Sequence, residues 1–332
     1  MKELIVTGAS GFLGWNICNA AQNDWEVIGI SGTHEMHDAP FLVLTFDLCD
    51  FEGSERIFRK IRPVAVVHAA AAADANYCQM HPDQTRRINV EASEHIARLS
   101  AQCGSACIFV STDLVFNGKN APYPEASPVS PVSIYGEQKV EAEKRMTEAN
   151  KDVLICRMPL MFGDGPSHCR NHFTSLIDNI VKGNEVPLFT NEFRSMVSGR
   201  DAAKGILHFM GTRRGVINLG GKKSVSRYDF GMAVAEALGA GSPRLKACFQ
   251  KDVIMPAPRP ADVSLDSSEA FSHGYDPDNL EDALGKLECI KARRMKAEGE
   301  KLKDEGGRMK KVESRKNIDH NAPVNSRKNS HD

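Results

Sequence analysis

Three side-chain types at telling positions open the sequence: Thr112, Tyr135 and Lys139. Tyr135 and Lys139 lie four residues apart in Ser133–Ala149 (SIYGEQKVEAEKRMTEA), a stretch rich in helix formers, so both would project from one face of a helix. Thr112 follows the apolar run Cys107-Ile108-Phe109-Val110, which reads as a buried strand of a parallel sheet. The hydroxyls of Ser111 and Thr112 would then stand at the carboxyl end of that strand, where open α/β sheets bind ligands. A phenol, an ammonium and a hydroxyl gathered in one place suit carbonyl reduction. A free phenol, with a pKa of about 10, is a weak acid near neutrality, and a cation within reach lowers it by roughly 1–3. Tyr135 could protonate an oxygen as hydride reaches the carbon, with Thr112 donating a hydrogen bond to that oxygen.

The amino-terminal stretch supplies the context. Leu4-Ile5-Val6 is a short apolar strand running into Thr7-Gly8-Ala9-Ser10-Gly11-Phe12-Leu13-Gly14, with glycines at 8, 11 and 14. Gly8 permits a tight strand-to-helix turn, Gly11 lets backbone N–H groups approach a pyrophosphate, and Gly14 lets the helix Phe12 to Gln22 pack close to the sheet. Placed after a first strand and opening a helix, the triplet meets the test for a dinucleotide site. A second strand, Glu26 to Ile30, ends at Ser31-Gly32-Thr33-His34. An acid there would select the free ribose hydroxyl of NAD; its absence leans towards NADPH, although no Arg stands nearby for a 2′-phosphate. A third strand, Phe41 to Phe46, ends at Asp47-Leu48, placed to touch the adenine. A fourth, Val64 to Val67, ends at His68-Ala69-Ala70, where small residues let the chain pass beneath a nicotinamide ribose. His68, closing a buried strand, is favoured as structural.

Further on, Asp83–Gln102 has helical spacing at Ile88, Ala92, Ile96 and Leu99, and places Asn89 near the core-facing stripe, where a buried amide needs partners. A strand Val153–Cys156 leads to Arg157-Met158-Pro159 and the loop Gly163-Asp164-Gly165-Pro166. After it the strand–helix alternation loosens, with helices at Asn171–Lys182, Ser198–Met210 and Ser226–Leu238 and a strand at Gly215–Leu219. The organisation expected is a dinucleotide-binding core over residues 1–157 and a mainly substrate-binding lobe over 158–290, interleaved with it. Arg194, Arg200 and Arg259 are candidates for a phosphate-bearing substrate. His168-Cys169 with His172 has metal-ligand spacing but no accompanying carboxylate or further Cys, so no metal is expected.

Bulk properties narrow the class. The chain has 332 residues and a net charge of −1, which argues against a nucleic-acid footprint. Residues 291–332 carry 13 Lys/Arg against 7 Asp/Glu, a net of +6, which leaves −7 on residues 1–290. That charged tail lacks apolar periodicity and is expected to be disordered, with helix formers over Ala292–Lys311. Nine cysteines without a C-x-x-C pair suggest reduced thiols. With no signal peptide and no apolar run near the roughly 18 residues that span a bilayer, a soluble cytoplasmic protein is expected.

Taken together, these motifs resemble the extended short-chain dehydrogenase/reductases, and among them the dTDP-4-dehydrorhamnose reductase family. The resemblance covers roughly residues 2–288. It is carried by Thr7-Gly8 with Gly11 and Gly14, His68-Ala69-Ala70, Asn89-Val90-Glu91, Val110 through Gly118, Tyr123 and Pro131 through Gly136 with Lys139. Val225-Ser226-Arg227-Tyr228 and Arg259-Pro260-Ala261 with Leu265-Asp266 also match. It implies a Rossmann-type doubly wound parallel sheet with a smaller carboxyl-terminal α/β lobe, and NADPH or NADH reducing the 4-keto group of a nucleotide-diphosphate sugar. It further implies Thr112, Tyr135 and Lys139 as the catalytic trio, Lys139 also holding the nicotinamide ribose, with Gly8, Ser10, Gly11, Phe12, Leu13, Gly14, Ser31, Asp47, Leu48, His68, Ala69 and Ala70 lining the cofactor. Asp113, Arg157, Arg194 and Arg259 would face the substrate, and a homodimer is the assembly to test.

The chain departs from the family's pattern at Asn76 and Gln79, where acids are common, and Asp113 is followed by Leu114 rather than the second acid of the related dehydratases. The regulatory beta subunits of methionine adenosyltransferase resemble the same family, with Arg157-Met158-Pro159-Leu160 among the shared residues. They leave open a dinucleotide-binding regulatory subunit without turnover, as the wider superfamily leaves open a nucleotide-sugar epimerase.

Overall fold

The computed structural model describes residues 2–32, 35–36 and 38–296. Met1, Thr33, His34, His37 and residues 297–332 lie outside them, and with them most of the tail expected to be disordered and of its helix-forming stretch Ala292–Lys311; residues 291–296, the start of that tail, are helical.

The first half alternates strand and helix: β1 (Lys2–Thr7), α1 (Phe12–Ala21), β2 (Trp25–Ser31), β3 (Leu42–Thr45), α2 (Phe51–Ile61), β4 (Ala65–His68), α3 (Ala75–Met80), α4 (Pro82–Arg86), a π-helical turn (Arg87–Glu91), α5 (Ala92–Cys103), β5 (Ala106–Thr112), α6 (Ile134–Ala149) and β6 (Leu154–Met158). The second half adds β7 (Met161–Phe162), α7 (His172–Val181), β8 (Val186–Phe189), β9 (Phe193–Arg194), β10 (Val197–Ser198), α8 (Gly199–Phe209), β11 (Gly215–Asn218), β12 (Val225–Ser226), α9 (Arg227–Ala237) and β13 (Leu245–Cys248).

Seven strands form one parallel sheet in the order β11-β6-β5-β4-β1-β2-β3. Its apolar runs serve both faces. In β1, Leu4 and Val6 enter the cluster under α1 and α8, whereas Ile5 enters the cluster under α2 and α5, as the two-residue period of a strand requires. The carboxyl ends of the adjacent strands β1 and β4 mark where the winding direction reverses, and a ligand crevice belongs there.

The remaining short strands pair off in twos, β7 with β10, β9 with β12 and β8 with β13, around a separate apolar cluster that includes Phe162, Phe173 and Phe230. Hydroxyl and amide caps start four of the helices. Ser133 Oγ accepts from Gly136 N–H, Ser198 Oγ from Asp201 N–H and Ser226 Oγ from Asp229 N–H, while Asn171 closes a capping box with Thr174. Among the described residues no helix is long and apolar enough to cross a membrane, and all nine cysteines are unpaired.

Candidate active site

The glycine turn is built as a cradle. Gly8 has φ +70°, and a Cβ on it would come within 2.8 Å of Ala70 Cα; a Cβ on Gly14 would fall 2.1 Å from Gly8 O. Both positions therefore require glycine. Gly11 differs: a Cβ there would meet only Gly8 O, at 3.2 Å, so its free side faces the crevice. Gly11 is also the N-cap of α1 and supplies no side-chain cap. Gly11 thus offers no side-chain cap to the first N–H groups of α1; the Cys169 thiol reaches the Phe12 N–H, and a phosphoryl oxygen bound at this helix end would take the thiol's place. The donor set fits the pyrophosphate of a dinucleotide.

Around this turn β4 ends tightly packed. Thr7 Oγ1 bonds His68 Nδ1 (2.7 Å) and accepts from Ala70 N–H (3.2 Å), and His68 Nε2 meets Ser93 Oγ (2.9 Å). Burial, with Lys139 adding to it, holds His68 down to about 3, so the ring is neutral and locks β4 to β1 and α5. Ser31 ends β2 fully buried, its carbonyl accepting from Phe46 N–H at 2.9 Å. Asp47 is exposed beyond β3, bonded to Cys49 N–H, while the Leu48 side chain packs into the core. Ser10 takes its place through its carbonyl, which accepts from His168 Nε2 at 3.0 Å. His168 is thus drawn to the glycine turn, and His172 sits instead beside Arg227, so the two histidines serve different contacts.

At the end of β5, Thr112 lies within hydrogen-bonding reach of the Tyr135 phenol, and its hydroxyl donates to Asp113 Oδ1 (3.2 Å). Tyr135, Lys139 and Glu143 fall on one face of α6, and all three are buried. Lys139 Nζ donates to Val110 O at 2.6 Å and stands 3.9 Å above the Phe109 ring. The electrostatics differ from the simple picture of a cation acidifying a phenol. Burial dominates both groups: it pushes the phenol up, with Cys78 and Asp113 adding to the rise and only Thr112 opposing it, and it pushes Lys139 down to about 7 against the pull of Glu143. The phenol therefore holds its proton throughout the neutral range.

Asn89 sits in the π-helical turn with no exposure and is fully used. Its Oδ1 accepts from Ala72 N–H (2.8 Å), and its Nδ2 donates to Ala72 O (3.1 Å) and Gln138 Oε1 (2.8 Å). It ties the segment after β4 to the residue beside Lys139.

The four residues expected to face a substrate part company. Asp113 and Arg194 are buried together, Nε to Oδ2 at 3.4 Å, and burial lifts Asp113 to about 6 although Arg194 opposes it. Arg259 Nη2 donates to Asn76 Oδ1 at 3.2 Å, so one of the family departures lies at the same mouth. Gln79, the other, accepts from Ile134 N–H at the start of α6. Arg157 corrects the expectation. Its guanidinium is bound bidentately by Glu143 (3.1 and 2.8 Å) and donates to Glu125 O, behind the site rather than in it. Ser111 likewise turns its hydroxyl to Glu143 Oε1, at 2.6 Å. Arg200 is exposed on α8.

Sequence reasoning names Arg227 only for the family resemblance and His172 only for its spacing from His168, and gives neither, the first residues of α9 and α7, a place at the site. Arg227 Nη1 and His172 Nε2 are sealed from solvent without a hydrogen-bond partner, and Asp113 Oδ2 likewise has none. Arg227 N–H bonds Glu192 O, and Glu192 pairs with Arg194, so the orphaned atoms continue the row that begins at Asp113. The signal available was the cap Ser226 ahead of an arginine in the first turn.

A doubly wound parallel sheet with a glycine cradle at its reversal point defines a Rossmann-type α/β fold. Residues 1–289 match the RmlD substrate binding domain family, and the chain belongs to it. A hypothetical dTDP-4-dehydrorhamnose reductase from Sulfolobus tokodaii superposes with a TM-score of 0.73 at 29% identity, over 82% of this chain and 94% of that one. The dTDP-4-dehydrorhamnose reductase of Bacillus anthracis in complex with NADP shares the fold at 20% identity and a TM-score of 0.74, over 86% and 99% of the two chains. The methionine adenosyltransferase 2 subunit beta of Bos taurus is 26% identical over 281 residues, 82% of this chain and 83% of its own.

Proposed function

We propose that the protein is an NADPH-dependent reductase of a 4-keto nucleotide-diphosphate sugar. The observation that carries this reading is the grouping of Thr112, Tyr135 and Lys139 at the carboxyl end of β5, one strand away from the glycine cradle's neighbour β4. Relatives described as dTDP-4-dehydrorhamnose reductases, one of them holding NADP, support the substrate class and the nicotinamide dinucleotide. A bound nicotinamide would supply the hydride. Tyr135 gives its proton to the carbonyl oxygen as that hydride arrives at carbon, completing the alcohol, and Thr112 donates a hydrogen bond to the same oxygen. Protonation of the desolvated phenol keeps the donor loaded, and the charge left on it afterwards is balanced by Lys139. Asp113, Arg194 and Arg259, with Arg227 and His172 beyond, bind and orient the sugar diphosphate. NADPH is preferred over NADH in this proposal because the end of β2, Ser31-Gly32, offers no carboxylate to a 2′-phosphate.

The test is incubation with NADPH and a panel of 4-keto nucleotide sugars while nicotinamide absorbance is followed; oxidation with none of them refutes the reductase. The likeness to methionine adenosyltransferase beta subunits favours one second reading, a dinucleotide-binding regulatory subunit. It predicts NADPH binding without turnover, together with retention of a catalytic partner in a pull-down.

A further inference from the structure

We propose that Glu143 is the positioning residue of the Tyr135–Lys139 pair: clamped by Arg157 and Ser111, it sustains the positive charge of Lys139 and fixes the strand end that carries Thr112. The inference rests on the assignment of Tyr135 and Lys139 proposed above. The geometry is specific. Glu143 is four residues beyond Lys139 on the same buried face of α6, and its carboxylate is held on both oxygens. Oε1 accepts from Ser111 Oγ–H (2.6 Å) and Arg157 Nε–H (3.1 Å), and Oε2 accepts from Arg157 Nη2–H (2.8 Å). Arg157 in turn lies over the Phe116 ring and donates to Glu125 O, while Glu125 Oε1 accepts from Asn218 N–H. One carboxylate thus joins α6, β5, β6 and the loop that feeds α6.

Lys139 needs such a neighbour. Around it stand the Phe109 ring and the Val110 carbonyl on β5, the neutral His68 on β4, and Tyr135 and Glu143 on α6 itself, with Arg157 of β6 behind Glu143. Among the charged groups around it, Glu143 is the one that works against the burial of the ammonium, which by itself strips charge from a lysine. A merely structural ion pair would hold the same elements together without any effect on the state of Lys139.

The experiment reads that state directly. The full chain is labelled with [ε-13C]lysine, the Lys139 resonance is identified by its loss in Lys139→Met, and its titration is followed by NMR in the wild type, Glu143→Gln and Glu143→Asp. The expected result is a midpoint lowered by about one pH unit or more in Glu143→Gln and restored towards wild type in Glu143→Asp, which keeps the charge. If Glu143→Gln does not fold, the double variant Glu143→Gln/Arg157→Met removes both members of the buried pair and should show a midpoint still lowered, by less than Glu143→Gln alone would give, because a cation is removed with the carboxylate. An unchanged Lys139 midpoint in the folded variant, with only a fall in thermal stability, overturns the proposal. NADPH affinity measured across pH separates the two readings: its loss on the alkaline side should move with the midpoint, and an affinity indifferent to Lys139 titration would sink the reductase assignment instead.

Discussion

Replacing Tyr135 by Phe isolates the proton-transfer step from the rest of the site. The phenol ring is buried against Ala75, Cys78 and Ala257, and phenylalanine keeps that packing. The lost hydroxyl has Thr112 within reach, and Thr112 retains its bonds to Asp113 Oδ1 and Leu114 N–H, both 3.2 Å. No buried group is orphaned, so stability should change by less than about 1 kcal/mol. The catalytic effect should be far larger. Loss of a positioned general acid typically costs about 10²–10⁴ in rate, equivalent to about 3–5 kcal/mol of barrier. The assay is kcat for NADPH oxidation with the active 4-keto nucleotide sugar, alongside NADPH affinity by fluorescence titration. A fall in kcat with affinity unchanged is expected. A variant that turns over within about tenfold of wild type would refute the assignment of Tyr135 as proton donor.

Three further outcomes are expected. Gly11→Val should fold, because its Cβ meets only Gly8 O, yet lose NADPH affinity by more than about a hundredfold in a titration, since its methyl groups fill the phosphate's place. Asn89→Ala should lower stability by about 3–5 kcal/mol in urea unfolding, as it strands Ala72 N–H, Ala72 O and Gln138 Oε1 at a buried position. His68 has a native pKa of about 3, below its unfolded value, so the native state binds fewer protons and stability is lost as pH falls below about 6.5. Between pH 7 and pH 5 this one ring should account for about 2 kcal/mol, and a His68→Gln variant should show a correspondingly smaller difference between urea midpoints at the two pH values.

The strands of the main sheet were legible in the sequence because a parallel sheet covered on both faces leaves continuous apolar runs, and the glycine turn because tight packing at Gly8 and Gly14 admits no other residue. Helix caps at Ser133, Asn171, Ser198 and Ser226 set boundaries to within a residue or two. The short strands of the lobe were not legible. Pairs of two to four residues such as β7 with β10 carry no periodicity, and their partners are distant in sequence. Charged residues misled for a related reason. Arg157 and Arg194 are both buried arginines, and only the three-dimensional neighbours, Glu143 for one and Asp113 for the other, tell them apart. The spacing of Lys139 and Glu143 could have pointed to that first carboxylate, since i and i+4 share a helix face.

The interleaving of the two halves determines how the polypeptide can be divided. Beta strand β11 completes one edge of the sheet and α8 covers the α1 side, yet both follow residue 157. The Phe12 ring lies in ordinary or closer contact with the positions of Gly163, Gly165 and Gly199. A fragment ending at 157 would leave Ile17, Leu154 and Cys156 stripped of Ala202, Ile206, Phe209 and Ile217, an open apolar slab rather than a small nucleotide-binding module. Gene truncations and fusions that treat the first 157 residues as a portable cassette should therefore yield aggregates, and the chain must be handled as one piece.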